Sequence, residues 1–178
     1  GKVFKAKNYI CNMDPKMAAE KLIGLDKFPQ KFKPNLNYEY SPAGMVVYLG
    51  LKDINLAKYG FGKNNIWHLQ QWDMNKTWKE QLNGDFSKAW FFISTPTLHS
   101  SEPGTAPEGC EIMEIATLTD YKSFKEAQDK SYKDYNQMKL ALADQMIGWV
   151  EKYYIPEIRK HIVTKVVGST VTNEDFVM

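Results

Sequence analysis

Alternating hydrophobic and polar positions predict five β-strands. They cover Gly44–Lys52, Asn64–Trp72, Ala89–Thr95, Cys110–Thr117 and His161–Val171. In each run, side chains at every second position share one face of the strand, so each strand offers a mainly aliphatic row and a row that mixes aromatic with polar groups. This pattern is typical of a sheet that is covered on one side only.

Apolar positions spaced by three and four predict one long amphipathic helix. Its stripe consists of Tyr135, Met138, Leu142, Met146, Trp149 and Tyr153. Pro156 ends this helix because proline cannot continue the hydrogen-bond ladder. Shorter helices are predicted from Asp14-Pro15 to Gly24, over "NKTWKEQLNG" to Gly84, and from "TNEDF" onward.

These elements predict an α+β fold. We expect one domain over residues 1–178, with a mixed or mostly antiparallel sheet of roughly five to six strands and with helices on one face, including the long one. Two short strand-like pieces are indicated before Asp14, and the prolines at 29, 34 and 42 predict an irregular crossing over 25–42. Ser100–Gly109, rich in Pro, Gly, Ser and Glu, is predicted to be a loop between strands.

The mixed rows supply the candidate binding residues. They are Tyr48, His68, Gln70, Trp90, Phe92 and Glu114. A face of this kind suits a pocket for a long apolar molecule with a small polar end. The alternative is a face that is simply solvated, as in many antiparallel sheets.

Composition narrows the choice of partners. Aromatic residues make up 13% of the chain, which fits either a planar apolar ligand or a well-packed core. A net charge of +2 gives no reason to expect nucleic acid. The two cysteines, Cys11 and Cys110, are interpreted as buried free thiols in a reducing compartment.

Signatures of catalysis are missing from the sequence. There is no GxGxxG or Walker motif, and His68, His99 and His161 lack the spacing of a metal site. Glu111 and Glu114 would point to opposite faces of a strand, so a carboxylate pair is not expected. We therefore predict no catalytic and no metal-binding residue.

Several segments resemble one flavoprotein family, in that family's order. "FFISTPTLHSSEPGTAPEGCEIMEIATL" is similar to its strand, loop and strand, and "YICNMDPKMAAEKLIG" to its strand that ends in Asn-x-Asp-Pro before a helix. "SPAGMVVYLGL", "YYIPEIRKHIV" and "TVTNEDFV" resemble further segments. The family is that of phytoene desaturase, carotenoid isomerase and all-trans-retinol 13,14-reductase (retinol saturase).

The resemblance implies an excised substrate-binding domain whose FAD-binding domain is absent. FAD is then expected in the parent protein and not in this piece, and the use of NAD(P) stays open. The implied reaction is desaturation, saturation or isomerisation of a carotenoid or retinol, and no catalytic side chain can be carried over. The implied partners are a hydrophobic polyene, the missing FAD-binding domain and, for the parent, a membrane surface.

The expected location is the cytoplasm or the periphery of a membrane, since no secretion signal is recognisable. A second interpretation stays open. The chain could be a stand-alone α+β module that binds a hydrophobic ligand or a protein and has no redox role.

Overall fold

The computed structural model describes residues 2–38 and 43–177, which form two compact units. In the first unit, the Asp14 carboxylate accepts a hydrogen bond of 2.8 Å from the Met17 backbone N–H. This cap starts helix α1 (Pro15–Met17), which continues as a π-helix over Ala18–Ile23. Gly24, at φ 95°, ends it, so the predicted helix is confirmed.

The rest of the first unit contains no strand among the residues that the structure describes. Residues 2–13 are neither helical nor extended in a sheet, so the two predicted strand pieces are wrong. Alternation alone was their basis, and a strand also needs a neighbouring strand to satisfy its backbone groups. Residues 25–38 contain two 3₁₀ helices, Leu25–Lys27 and Gln30–Leu36, which agrees with an irregular crossing. Pro42 lies outside the described residues.

The second unit contains a five-stranded antiparallel sheet. In chain order the strands are β1 (Gly44–Lys52), β2 (Ile66–His68), β3 (Phe91–Ser94), β4 (Cys110–Leu118) and β5 (Ile162–Gly168). Their order across the sheet is β2-β3-β4-β1-β5. All five predicted strands are confirmed, although β2, β3 and β5 are shorter than expected, and Thr170 and Val171 of the predicted last strand belong to a helix. The loop over 100–109 joins the adjacent strands β3 and β4, as predicted.

Helices α2 (Met74–Leu82), α3 (Pro96–His99), α4 (Tyr121–Lys130), α5 (Tyr132–Tyr153) and α6 (Thr170–Val177) complete this unit. Asp73, Asp120 and Ser131 cap α2, α4 and α5 through side-chain oxygens. Helix α4 was not predicted, and α6 begins before the predicted "TNEDF" start. The long helix α5 is confirmed, and it ends at Tyr153, three residues before Pro156.

The core lies between one face of the sheet and the helices. Met45, Val47 and Leu49 from β1 are buried there with Met146 and Val150 from α5. The predicted α+β fold with helices packed on one face is therefore confirmed. None of the helices in the described part of the chain is long and apolar enough to cross a membrane.

The two thiols differ from the prediction. Cys11 is exposed and Cys110 is half-buried, so the prediction of buried thiols is wrong. Cys110 is the first residue of β4, where the strand emerges from the 100–109 loop, and this position explains its incomplete burial.

Candidate functional site

The second face of the sheet carries side chains that are absent from the hydrophobic core of residues 43–177. We call it the open face. It consists of Val46, Tyr48 and Gly50 from β1, Trp67 from β2, Phe92 and Ser94 from β3 with Trp90 just before it, Ile112, Glu114 and Ala116 from β4, and Thr164, Val166 and Gly168 from β5. Trp67 is 65% exposed, Val166 61% and Tyr48 42%. Large apolar groups at this exposure are typical of a surface that meets a ligand or a partner.

Strand register arranges the open face in three rows. The first row crosses all five strands and contains Trp67, Phe92, Ala116, Val46 and Gly168. The second row contains Ser94, Glu114, Tyr48 and Val166, and the third contains Ile112, Gly50 and Thr164. The first row carries no polar side chain, whereas the second carries the carboxylate of Glu114.

Aromatic side chains form one end of the first row. The Trp67 indole lies 5.1 Å from the ring of Trp90 and 5.1 Å from that of Phe92, edge-on to the latter. At the other end of the row the side chains project less from the sheet, because Ala116, Val46 and Gly168 are small. The result is a flat apolar surface bounded by an aromatic wall.

A buried polar network holds Trp90 in place. Gln81 of α2, only 2% exposed, accepts a hydrogen bond from the Trp90 N–H at 3.2 Å and donates to Thr117 and to the Leu118 carbonyl, both at 2.9 Å. The Thr117 hydroxyl in turn donates to the Trp90 carbonyl at 2.6 Å. Both backbone groups of Trp90 are thus satisfied by side chains before β3 begins, which fixes the start of the aromatic wall.

Four of the six predicted binding residues lie together on the open face: Tyr48, Trp90, Phe92 and Glu114. The other two, His68 and Gln70, do not, and the expectation that they share this face is wrong. The reason is strand register: His68 lies opposite Phe91, a core residue, so its side chain points toward the helices. Both rows of side chains on β2 contain apolar residues, so hydrophobicity alone did not show which row faces the core.

His68 belongs to an aromatic cluster on the helix side of the sheet. Its imidazole stacks on Phe91 at 4.5 Å, lies 4.4 Å from Tyr153 and shares a hydrogen bond of 2.8 Å with the Tyr154 hydroxyl. The Gln70 amide donates to the Ala89 carbonyl at 2.7 Å. The Gln70 side-chain carbonyl also accepts a hydrogen bond of 3.3 Å from the Tyr153 hydroxyl. The contacts with Tyr153 and Tyr154 attach β2 and the residues after it to the end of α5, which is a structural role.

Burial sets the protonation of this cluster. Loss of hydration lowers the pKa of His68, and the nearby positive charge of Lys152 lowers it further. Burial also raises the pKa of Tyr154. The imidazole is therefore held neutral and the phenol protonated, which suits a hydrogen bond within a packed interface.

The prediction missed a large part of the open face. Trp67, Val46, Ala116, Val166 and Gly168 were not among the predicted residues. The signal was present for Val46 and Ala116, since strict alternation along β1 and β4 separates them from the buried Val47 and Ile115. Trp67 and Gly168 could be placed only by the register of β2 and β5.

The residues that the structure describes offer no metal site. Among 2–38 and 43–177, no three His, Cys, Asp or Glu side chains converge in a way that could hold a metal ion. The chemistry of the open face is therefore that of an apolar surface with one carboxylate.

Comparison with known proteins gives a consistent but weak similarity. The chain is 29% identical over 173 residues to the chloroplastic prolycopene isomerase of Daucus carota, covering 96% of this chain. It is 26% identical over 178 residues to the chloroplastic prolycopene isomerases 1 and 2 of an Oncidium hybrid cultivar. No family model matches. The chain spans 26% to 28% of the length of these relatives, and the similarity runs along nearly all of the chain.

Proposed function

We propose that this chain is the substrate-binding domain of an FAD-dependent oxidoreductase that acts on carbon–carbon double bonds of a polyene. The observation that carries the proposal is the open face, whose first row crosses five strands without a polar side chain. Its sequence support is the similarity to prolycopene isomerases along nearly the whole chain. Among polyenes, these relatives favour a carotenoid over retinol, and isomerisation over desaturation or saturation.

The open face suits a polyene by its chemistry. A polyene has no charge and few hydrogen-bonding groups, so its binding depends on removing apolar surface from water, at about 25 cal/mol per Å². The aromatic wall at Trp67, Trp90 and Phe92 adds flat surfaces on which a conjugated chain can stack. A single sheet face covers only one side of such a molecule, so a second wall from elsewhere in the protein is part of the proposal.

The strand-to-helix turns in the described residues do not fit the pyrophosphate of FAD. Three strands lead directly into a helix: β3 through Thr95, β4 through Thr119 and Asp120, and β5 through Ser169. None of these turns is the glycine-rich type whose backbone N–H groups approach a dinucleotide pyrophosphate. We therefore place FAD binding in a part of the protein outside these residues, together with any NAD(P) site.

The role of this chain is to bind and orient the substrate. When bound, a flavin supplies the redox chemistry at the double bonds. The open face holds the conjugated chain flat and keeps water from that side of it. Glu114 is the one charged side chain within the three rows, and we assign it no proton transfer. Lys52 continues the same side of β1 beyond the third row.

The test uses the protein encoded by the complete reading frame that contains these residues. We expect this protein to bind FAD and to isomerise prolycopene, with substrate and product separated by chromatography. Val46→Lys, which places a charge in the first row, should lower conversion about tenfold or more. Leu140→Lys, on the exposed side of α5, is the matched control and should change it little.

Two results would contradict the proposal. One is a complete protein that neither binds nor converts polyenes. The other is a Val46→Lys variant that stays folded and converts as fast as the unmodified protein. Binding of a polyene without conversion would favour the stand-alone binding module instead.

A further inference from the structure

The rows of the open face define two directions in which an elongated ligand could lie. It could run along a strand, or it could cross the strands. Along β4, the ligand would cover Ile112, Glu114 and Ala116 in turn, and along β1 it would pass Tyr48, directly opposite Glu114. Across the strands, along the first row, it would meet Trp67, Phe92, Ala116, Val46 and Gly168.

Charge distinguishes these two directions. Glu114 is half-buried, and its carboxylate has no hydrogen-bond or ion-pair partner within the described chain. An apolar ligand laid over it would remove a carboxylate from water without providing a partner, which is strongly unfavourable. The first row avoids this penalty because none of its side chains is polar.

Dimensions and shape agree with the crossing direction. Neighbouring strands lie about 4.8 Å apart, so the first row extends for about 19 Å across the four gaps of the sheet. It is bounded by the indole of Trp67 at one end and is open at the other. A Cβ added at Gly168 would meet no atom within 4 Å, so the space above this residue is free.

We propose that the polyene crosses the strands along the first row, from the aromatic wall at Trp67 to Gly168, and that Glu114 keeps it off the second row. This inference rests on the proposed function and adds the direction and position of the ligand. Two effects then select the position of the ligand. The carboxylate of Glu114 disfavours binding on the second row, and the apolar contacts of the first row favour binding there.

The test compares two substitutions on one strand. Gly168→Phe inserts a ring into the first row, where the structure leaves room for it, and Thr164→Phe places the same ring in the third row of β5. The ligand is prolycopene, added to the complete protein and followed through quenching of tryptophan emission. We expect Gly168→Phe to weaken binding about tenfold or more and Thr164→Phe to change it by less than about threefold.

A double variant tests the role of Glu114. In the Gly168→Phe protein, Glu114→Leu makes the second row apolar and should recover about fivefold or more of the lost affinity. Unfolding midpoints of all variants show whether the fold is kept. Failure of Glu114→Leu to recover any affinity would overturn the assigned role of this carboxylate.

The remaining outcomes separate this inference from the proposed function. Equal loss of binding in Gly168→Phe and Thr164→Phe would mean that the ligand runs along β5, and would overturn the crossing direction alone. If neither substitution changes binding, the ligand lies elsewhere, and the crossing direction is again overturned. No binding of prolycopene by the unmodified complete protein would overturn the proposed function itself.

Discussion

Glu114 of β4 lies directly opposite Tyr48 of β1 on the open face, and no described cation pairs with its carboxylate. Three residues earlier on the same strand, Glu111 points the other way and accepts a hydrogen bond of 2.5 Å from the Thr97 hydroxyl. Of these two carboxylates on one strand, Glu111 therefore has a hydrogen-bond partner, and Glu114 has none within the described chain.

Leucine at these two positions should have opposite effects. Glu114→Leu should raise the free energy of unfolding by up to about 1 kcal/mol, because leucine fits a half-buried strand position better than an unpaired carboxylate. Glu111→Leu should lower it by about 1 kcal/mol, because the Thr97 hydroxyl loses its acceptor. Urea unfolding measures both, and a loss of stability in Glu114→Leu would show that this carboxylate has a stabilising contact.

Removal of the Gln81 amide should be among the most destabilising single changes in the second unit. Gln81→Leu leaves the Trp90 N–H and the Leu118 carbonyl without these partners in a buried site, so we expect a loss of about 3 kcal/mol. Gln137→Leu, at an exposed position of α5, should stay within about 0.5 kcal/mol. Similar values for the two variants would mean that water replaces the amide.

Stability should depend on the protonation of His68. Because the pKa of His68 is lowered in the folded chain, the unfolded chain takes up a proton first as the pH falls. The free energy of unfolding should therefore be highest above the ordinary histidine pKa and decrease as the pH falls from about 7 toward 5. Urea unfolding at several pH values should show a smaller decrease for His68→Phe than for the unmodified chain.

His161 supplies the control for this pH effect. It is only half-buried, and its Nδ1 donates to the Lys52 carbonyl at 3.0 Å. His161→Asn should keep the decrease between pH 7 and 5. If the free energy of unfolding still decreases between pH 7 and 5 in His68→Phe, titratable groups other than His68 cause the decrease.

The aromatic wall should matter more for ligand binding than for folding. Trp67→Ala removes contacts with Trp90 and Phe92 and should lower the free energy of unfolding by about 1 kcal/mol. It should also reduce the fluorescence gain of a hydrophobic dye bound to the open face. Trp72→Ala, at a residue that is 91% exposed, should change neither, and an equal effect of both variants would argue against a specific surface.

The sequence predicted the sheet better than it predicted the site. Long alternating runs in β1 and β4 separated buried from open positions correctly, because each run contains several clear apolar positions. In β2, Ile66 and Trp67 are both apolar and start opposite rows, so the covered row could not be identified. The pairing of β2 with β3 determines which row is covered, and it places His68 on the helix side. This pairing joins residues that are far apart in the chain.

Helix α4 was missed for a related reason. Its ten residues are mostly polar, and Phe124 is its one fully buried side chain, so no apolar stripe marks it. The Asp120 cap and the contact with α5 stabilise it instead. Residues 2–13 show the converse: an alternating pattern does not form a strand where the described structure offers no neighbouring strand.

The alternation along β1 and β4 has a consequence for how such a protein can change over time. Positions 45, 47, 49, 113 and 115 are buried in the core, whereas positions 46, 48, 112, 114 and 116 lie on the open face, outside the core. Mutations at the second set can accumulate without disturbing the first. Under the proposed function, ligand preference is therefore free to diverge between descendants that keep the same scaffold.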